Sequence, residues 1–145
     1  MKKRKVQVVI VYNAEGNSQQ ILLLKTNIRR QSFWQNVTGG VDDNETFKKA
    51  ALREAIEETG IFEKEITSLI ETDLSFSFHD QWKNDVEEKV FVLFTSKKWD
   101  VKIDSDEHDD YKWINIKDLN SELVKFETNY QAMLEAKKLI REITI

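Results

Sequence analysis

The sequence predicts an α/β fold, a mixed β-sheet with helices packed on it, and three observations predict it. Short apolar runs at residues 6–12 and 21–25 are bounded by turn residues, a strand signature. Residues 46–59 run from a capping threonine to a glycine stop, and residues 129–140 space their apolar side chains at helical intervals. At 145 residues and 40% hydrophobic content, the chain is long enough for one domain, 1–145, with a real core.

Taken in order, residues 6–12 (Val6 to Tyr12) read as a buried strand. Residues 13–17 contain Asn13, Gly16 and Asn17 and read as a turn, so residues 21–25 complete a hairpin. A third strand is expected over 33–38, running into Gly39-Gly40. Thr46 is placed to cap the first helix and Gly60 to end it. Residues 66–78 alternate Leu74, Phe76 and Phe78 with polar partners, which predicts one or two strands. Residues 89–94 and 111–114 are further strands. Tyr130, Met133, Leu134, Ala136 and Ile140 define the apolar side of the last helix.

Composition excludes several classes. The chain has no cysteine, which removes disulfides, thiolate metal sites and cysteine nucleophiles. Its net charge of −4 argues against bulk nucleic-acid binding, so no stable nucleic-acid partner is expected. No apolar run is long enough to cross a bilayer, and no membrane partner is expected. The basic start, Lys2 to Lys5, is followed by a strand pattern without a small-residue cleavage site, so it is not read as a signal peptide and a cytoplasmic location is expected. Composition leaves the oligomeric state open.

The chemistry concentrates in residues 39–61. Glu54, Glu57 and Glu58 fall within five residues of the first helix. On a helical wheel Phe47, Ala50, Ala51, Glu54 and Glu58 share one side. Two acids thus continue an apolar stripe, where a lone carboxylate is costly. A divalent cation compensates, and an oxygen-only set suits Mg²⁺, with Mn²⁺ as a substitute. The plainer alternative is a solvated face with Arg53 and Glu57 paired at i,i+4. The preceding loop decides against it: Gly39 and Gly40 permit close backbone approach, and Glu45 is placed to pair with Arg53 across the loop, freeing the three acids.

These residues match the Nudix box: Gly39, five residues, Glu45, seven residues, Arg53-Glu54, two residues, Glu57-Glu58, one residue, Gly60-Ile61. The chain therefore resembles the Nudix hydrolases. Ala55 is smaller than the usual aliphatic, and Asn44 stands where many members have glycine. The resemblance implies an α/β/α sandwich and hydrolysis of a diphosphate linkage. It also implies that Glu54, Glu57 and Glu58 hold metal, with one helping to deprotonate water and a backbone carbonyl of Thr38 or Gly39 completing the shell.

Within that family, residues 33–39, Glu107-His108 with Tyr111-Lys112-Trp113, and Asn129 with Gln131-Ala132 are similar to the dihydroneopterin triphosphate pyrophosphohydrolases. That similarity implies Glu107 as a further metal ligand and Thr38 at the substrate. The phosphate-binding arginine of that group is replaced: the chain has Lys25-Thr26, with Arg29-Arg30 a few residues later. Lys25, Arg29 and Arg30 are candidate phosphate contacts. Trp34 is a candidate stacking residue or a core residue. His79 and His108 lack zinc spacing and are read as non-catalytic, with His108 near the site. ADP-ribose hydrolases usually carry a proline downstream of the box, and this chain has none. The expected reaction is Mg²⁺-dependent release of pyrophosphate from a small triphosphate, a (deoxy)nucleoside or dihydroneopterin triphosphate. The rivals are an RNA 5′-triphosphate pyrophosphohydrolase and a non-catalytic nucleotide sensor.

Overall fold

A computed structural model describes residues 2–14 and 18–143. The described residues form a mixed sheet of seven strands: β1 (Lys3–Ala14), β2 (Ser18–Thr26), β3 (Trp34–Gln35), β4 (Val37–Gly40), β5 (Ile66–His79), β6 (Asp85–Thr95) and β7 (His108–Asn115). Helices α1 (Phe47–Thr59) and α2 (Glu127–Ile143) pack on it. The expected hairpin forms, with Val11 opposite Ile21. Residues 15–17 of its expected turn lie outside the described residues.

β1 is covered on both faces, which is why its apolar run is continuous. Val6, Val8 and Ile10 join the core under α1, while Val9 and Val11 join the core under α2. The two helices therefore sit on opposite faces, as an α/β/α sandwich requires. β1 pairs in parallel with β6 from Lys3 opposite Val86 to Tyr12 opposite Thr95, and β6 pairs antiparallel with β5. Residues 66–78 belong to one strand whose register slips between Glu71 and Ser75.

The expected strand over 33–38 is corrected to two short strands. β1 and β2 pair only near their turn. Where they diverge, residues 34–40 insert between them. β3 bonds to β2, with Leu24 opposite Gln35, and β4 bonds to β1, from Val8 opposite Val37 to Lys5 opposite Gly40. The chain changes partner at Asn36, which is fully buried. Its N–H donates to Asn129 Oδ1 at 2.8 Å, and its Nδ2 donates to Gln7 Oε1 at 2.7 Å. These bonds supply the partners that the broken ladder withholds and tie the start of α2 to the insertion.

α1 forms as the sequence predicts. Thr46 accepts from the Lys49 N–H, and Gly60 closes the helix in the left-handed region at φ 71°. Ala50, Ala51 and Ala55 are fully buried. These small side chains let the helix approach β1 and β4 closely.

Candidate active site

The loop between β4 and α1 is held by Arg53. Its Nε and Nη2 donate to both Glu45 oxygens at 2.8 Å, and Nη2 also donates to the Gly40 carbonyl at 2.9 Å. Glu45 further accepts from the Asp42 N–H at 3.0 Å. The Arg53 hydrogen bond first, then the Asp42 N–H, hold the Glu45 carboxyl at about 2. The expected Glu45–Arg53 pair is present. Its fork is shared more widely than expected, because Nη1 also reaches Glu54 at 2.9 Å and Glu57 at 3.3 Å. The arginine thus spans loop and helix and offsets part of the acidic charge.

Glu54 projects from α1 onto Gly39. A side-chain carbon on Gly39 would collide with the Glu54 carboxylate, so glycine there is a requirement of close approach rather than of backbone angle. Glu58, one turn on, is 3% exposed and its Oε2 has no hydrogen-bond partner. Burial first, then the charges of Glu54 and Glu107, push its pKa up to about 10, against the pull of the Thr38 N–H. Burial also raises Glu54, with Arg53 opposing. Glu107, in the turn before β7, and His108, the first residue of β7, arrive together, and ligand atoms of Glu58, Glu107 and His108 lie within 4.8 Å of one another. Glu57 stands at the rim, with its side chain 57% exposed.

His108 is 1% exposed, with Nε2 3.1 Å from Gln35 Nε2 and 3.9 Å from Glu58 Oε1. Burial first, then Arg30, lower its pKa to about 4. It is neutral near pH 7, so its approach to Glu58 is not an ion pair. Buried Glu54 and Glu58, both raised, with an orphaned oxygen on Glu58 and Glu107 close by, make a donor set that fits a hard divalent cation.

The other predicted residues fall at different distances from this cluster. Arg30 Nη2 lies 3.6 Å from Glu107 Oε1, and Arg29 Nη2 lies 4.0 Å from Asp106 Oδ1; both side chains are largely exposed. Thr38 lies in β4, with its Oγ1 donating to the Val6 carbonyl at 3.2 Å. It also lines a cavity of about 540 Å³ on the α2 side of the sheet, walled by Phe76, Phe78 and Phe126. Thr38 therefore belongs to both regions, its N–H toward Glu58 and its side chain in the cavity. Trp34 packs against the α2-side core, with Lys112 Nζ 4.1 Å from its ring centre, and Lys25 pairs with it across β2 and β3. Neither lines the cavity. Sequence reasoning missed Gln35, which lines the cavity and touches His108. It also missed the contact of His108 with Glu58. Adjacency to Glu107 was the available signal for His108; for Gln35 the signal was the similarity over 33–39, but its role follows from the strand insertion.

A family model described as the NUDIX domain matches residues 1–136. The chain belongs to the NUDIX family. It is a Nudix hydrolase, as the box implied. An RNA pyrophosphohydrolase of Wolbachia pipientis subsp. Culex pipiens (strain wPip) is 26% identical over 140 residues, covering 88% of this chain and 84% of that protein. The dihydroneopterin triphosphate pyrophosphohydrolase of E. coli superposes with a TM-score of 0.73 at 27% identity, covering 90% of this chain and 91% of that one. A C. elegans Ap4A hydrolase superposes with a TM-score of 0.78 at 19% identity, covering 97% and 98% of the two chains. The expected Nudix fold and pyrophosphohydrolase class stand. No described helix is long and apolar enough to cross a membrane.

Proposed function

We propose that this Nudix hydrolase releases pyrophosphate from a small triphosphate, a (deoxy)nucleoside or dihydroneopterin triphosphate, using Mg²⁺. The observation that carries the reading is that Glu58 meets Glu107 on one side and Glu54 on the other, with Glu54 lying against Gly39, one residue from the Thr38 side chain in the cavity. Glu54, Glu57, Glu58 and Glu107 would hold the cation, with the Gly39 carbonyl as a further donor. A divalent cation held there would neutralise phosphate charge and supply a nucleophilic water near neutral pH.

The protein's own groups do the rest. Arg53, anchored by Glu45, fixes the rotamers of Glu54 and Glu57 by direct hydrogen bonds. Arg30, with Arg29 behind it, stands beside Glu107 and meets the triphosphate as a cation. Burial and its acidic neighbours hold Glu58 protonated near pH 7 without a cation, and Glu58 would release that proton to serve as a ligand when a cation is bound. Gln35 and Thr38 mark where the organic part of the substrate meets its phosphates.

A second reading, hydrolysis of 5′-triphosphate RNA, has two supports. The curated relative carries that name, and Lys2, Lys3, Arg4 and Lys5 line a groove of about 360 Å³ beside Gly40. One panel separates the two: pyrophosphate release with Mg²⁺ from NTPs, dNTPs, dihydroneopterin triphosphate and triphosphorylated RNA. Release from one small triphosphate, abolished in Glu57→Gln, is the expected result. Release from RNA alone would replace the first reading with the second, and silence across the panel would return the chain to the sensor class.

A further inference from the structure

A buried carboxylate stands in the cavity and takes no part in the Nudix box. Glu88 on β6 is 6% exposed and lines the cavity. Along the same face of β6, Val90, Val92 and Phe94 build the α2-side core. The alternation therefore calls for an apolar residue at 88, and an acid there costs stability unless it is partnered. Its partners are few. Gln7 Nε2 donates to Glu88 Oε1 at 3.1 Å, and the Lys5 ammonium lies 4.0 Å from Oε2. Gln7 is in turn fixed by Asn36, and Asn36 by Asn129. This relay of amides sets the carboxylate's orientation, while the aromatic walls Phe76, Phe78 and Phe126 suit a flat ring. The cavity volume, about 540 Å³, is that of a small-molecule site. Gln35 and Thr38, which also line it, touch the acid cluster on the other side of β4.

We propose that Glu88 reads the substrate's heterocycle by accepting hydrogen bonds from a 2-amino-pyrimidinone edge, the ring N–H beside an exocyclic amino group that guanine and pterins share. A carboxylate only accepts, and each of its oxygens takes more than one bond, so it matches two adjacent donors. Adenine and cytosine set a ring acceptor beside their amino group, and uracil and thymine flank their N–H with carbonyls. Each would place an acceptor against the carboxylate, leaving both undersatisfied in a buried place. This assignment rests on the cavity belonging to the proposed triphosphate site, and it names the substrate class that site takes.

The test is equilibrium binding by calorimetry to the full chain with two ligand pairs that differ at the exocyclic amino group: GMP against IMP, and pterin against lumazine. Loss of a hydrogen bond to a buried charged acceptor is worth roughly 10- to 100-fold in affinity. Binding of the amino member tighter by about that factor in either pair, and levelled in Glu88→Gln, is the expected result. Discrimination in the purine pair assigns a guanine nucleotide, and in the pteridine pair a pterin. Equal binding within both pairs by the wild-type chain overturns the proposal, whatever the variant does, and so does discrimination that survives in Glu88→Gln. Discrimination in binding without pyrophosphate release from any small triphosphate would keep the Glu88 assignment and overturn the small-triphosphate reading instead.

Discussion

Glu58 and Gly39 show how single residues are shaped by the site rather than by the fold. Glu58 is buried, unpaired at one oxygen and surrounded by acids. Without a cation it is a cost to the folded state. Glu58→Gln is therefore expected to leave the metal-free melting temperature unchanged or higher, while lowering turnover by at least roughly 100-fold. A melt in EDTA beside a pyrophosphate-release assay reads both. A lower melting temperature with turnover intact would show the carboxylate to be structural. Gly39→Ala acts through a neighbour: the new side-chain carbon displaces the Glu54 carboxylate. The expected result is a large fall in kcat with a modest change in melting temperature, because β4 keeps its backbone ladder to β1. Alanine tolerated without loss of kcat would show that Glu54 is not needed where it lies.

At the scale of elements, α1 is the part most fully specified by local chemistry. Its N-terminal threonine bond makes Thr46→Ala cost about 1 kcal/mol by denaturant melt. Gly60→Ala is expected to cost about 1–2 kcal/mol, since alanine is strained at φ 71° and its side chain meets Lys102. The loop leading into α1 carries a pH dependence. The folded-state pKa of Glu45 is about 2, below its ordinary 4.5. The unfolded chain binds that proton first, so the pair's contribution is complete above the ordinary value and is lost as pH falls toward the folded one. Acid unfolding curves of the wild type and Glu45→Gln should therefore converge between pH 4.5 and 2. Curves that stay parallel through that window would show that Glu45 does not couple to folding.

Across the whole molecule, the site is assembled from four places in the chain. β4 supplies Thr38 and Gly39, α1 supplies Glu54, Glu57 and Glu58, the turn into β7 supplies Glu107 and His108, and the turn after β2 supplies Arg29 and Arg30. A cation bound to the carboxylates relieves repulsion between elements that otherwise push apart. Mg²⁺ or Mn²⁺ is thus expected to raise the melting temperature in a concentration-dependent way, through a stabilisation of about 2.7 kcal/mol at 100 times Kd. The effect should shrink in Glu58→Gln. A melting temperature indifferent to either metal would mean the acids do not hold one in the absence of substrate.

The sequence by itself determined what depends on nearby residues. The caps of α1, its alanine face, the hairpin and the box spacing are local signals, and each has a mechanism acting over a few residues. They were enough to expect the Nudix fold and to name Glu45, Arg53, Glu54, Glu57 and Glu58. Tertiary structure alone decided the rest. Periodicity reports which side of a strand is apolar, but not which strand pairs with which edge. For that reason the 33–38 segment read as one strand, although it splits at Asn36 between two partners. The same insertion brings Gln35 to His108 and Thr38 to Glu58. Glu88 is one acid among several in 85–88, and only the fold buries it beside Gln7, whose partner Asn36 comes from the insertion. Contacts between residues tens of positions apart are set by packing the whole sheet, and no local pattern encodes them.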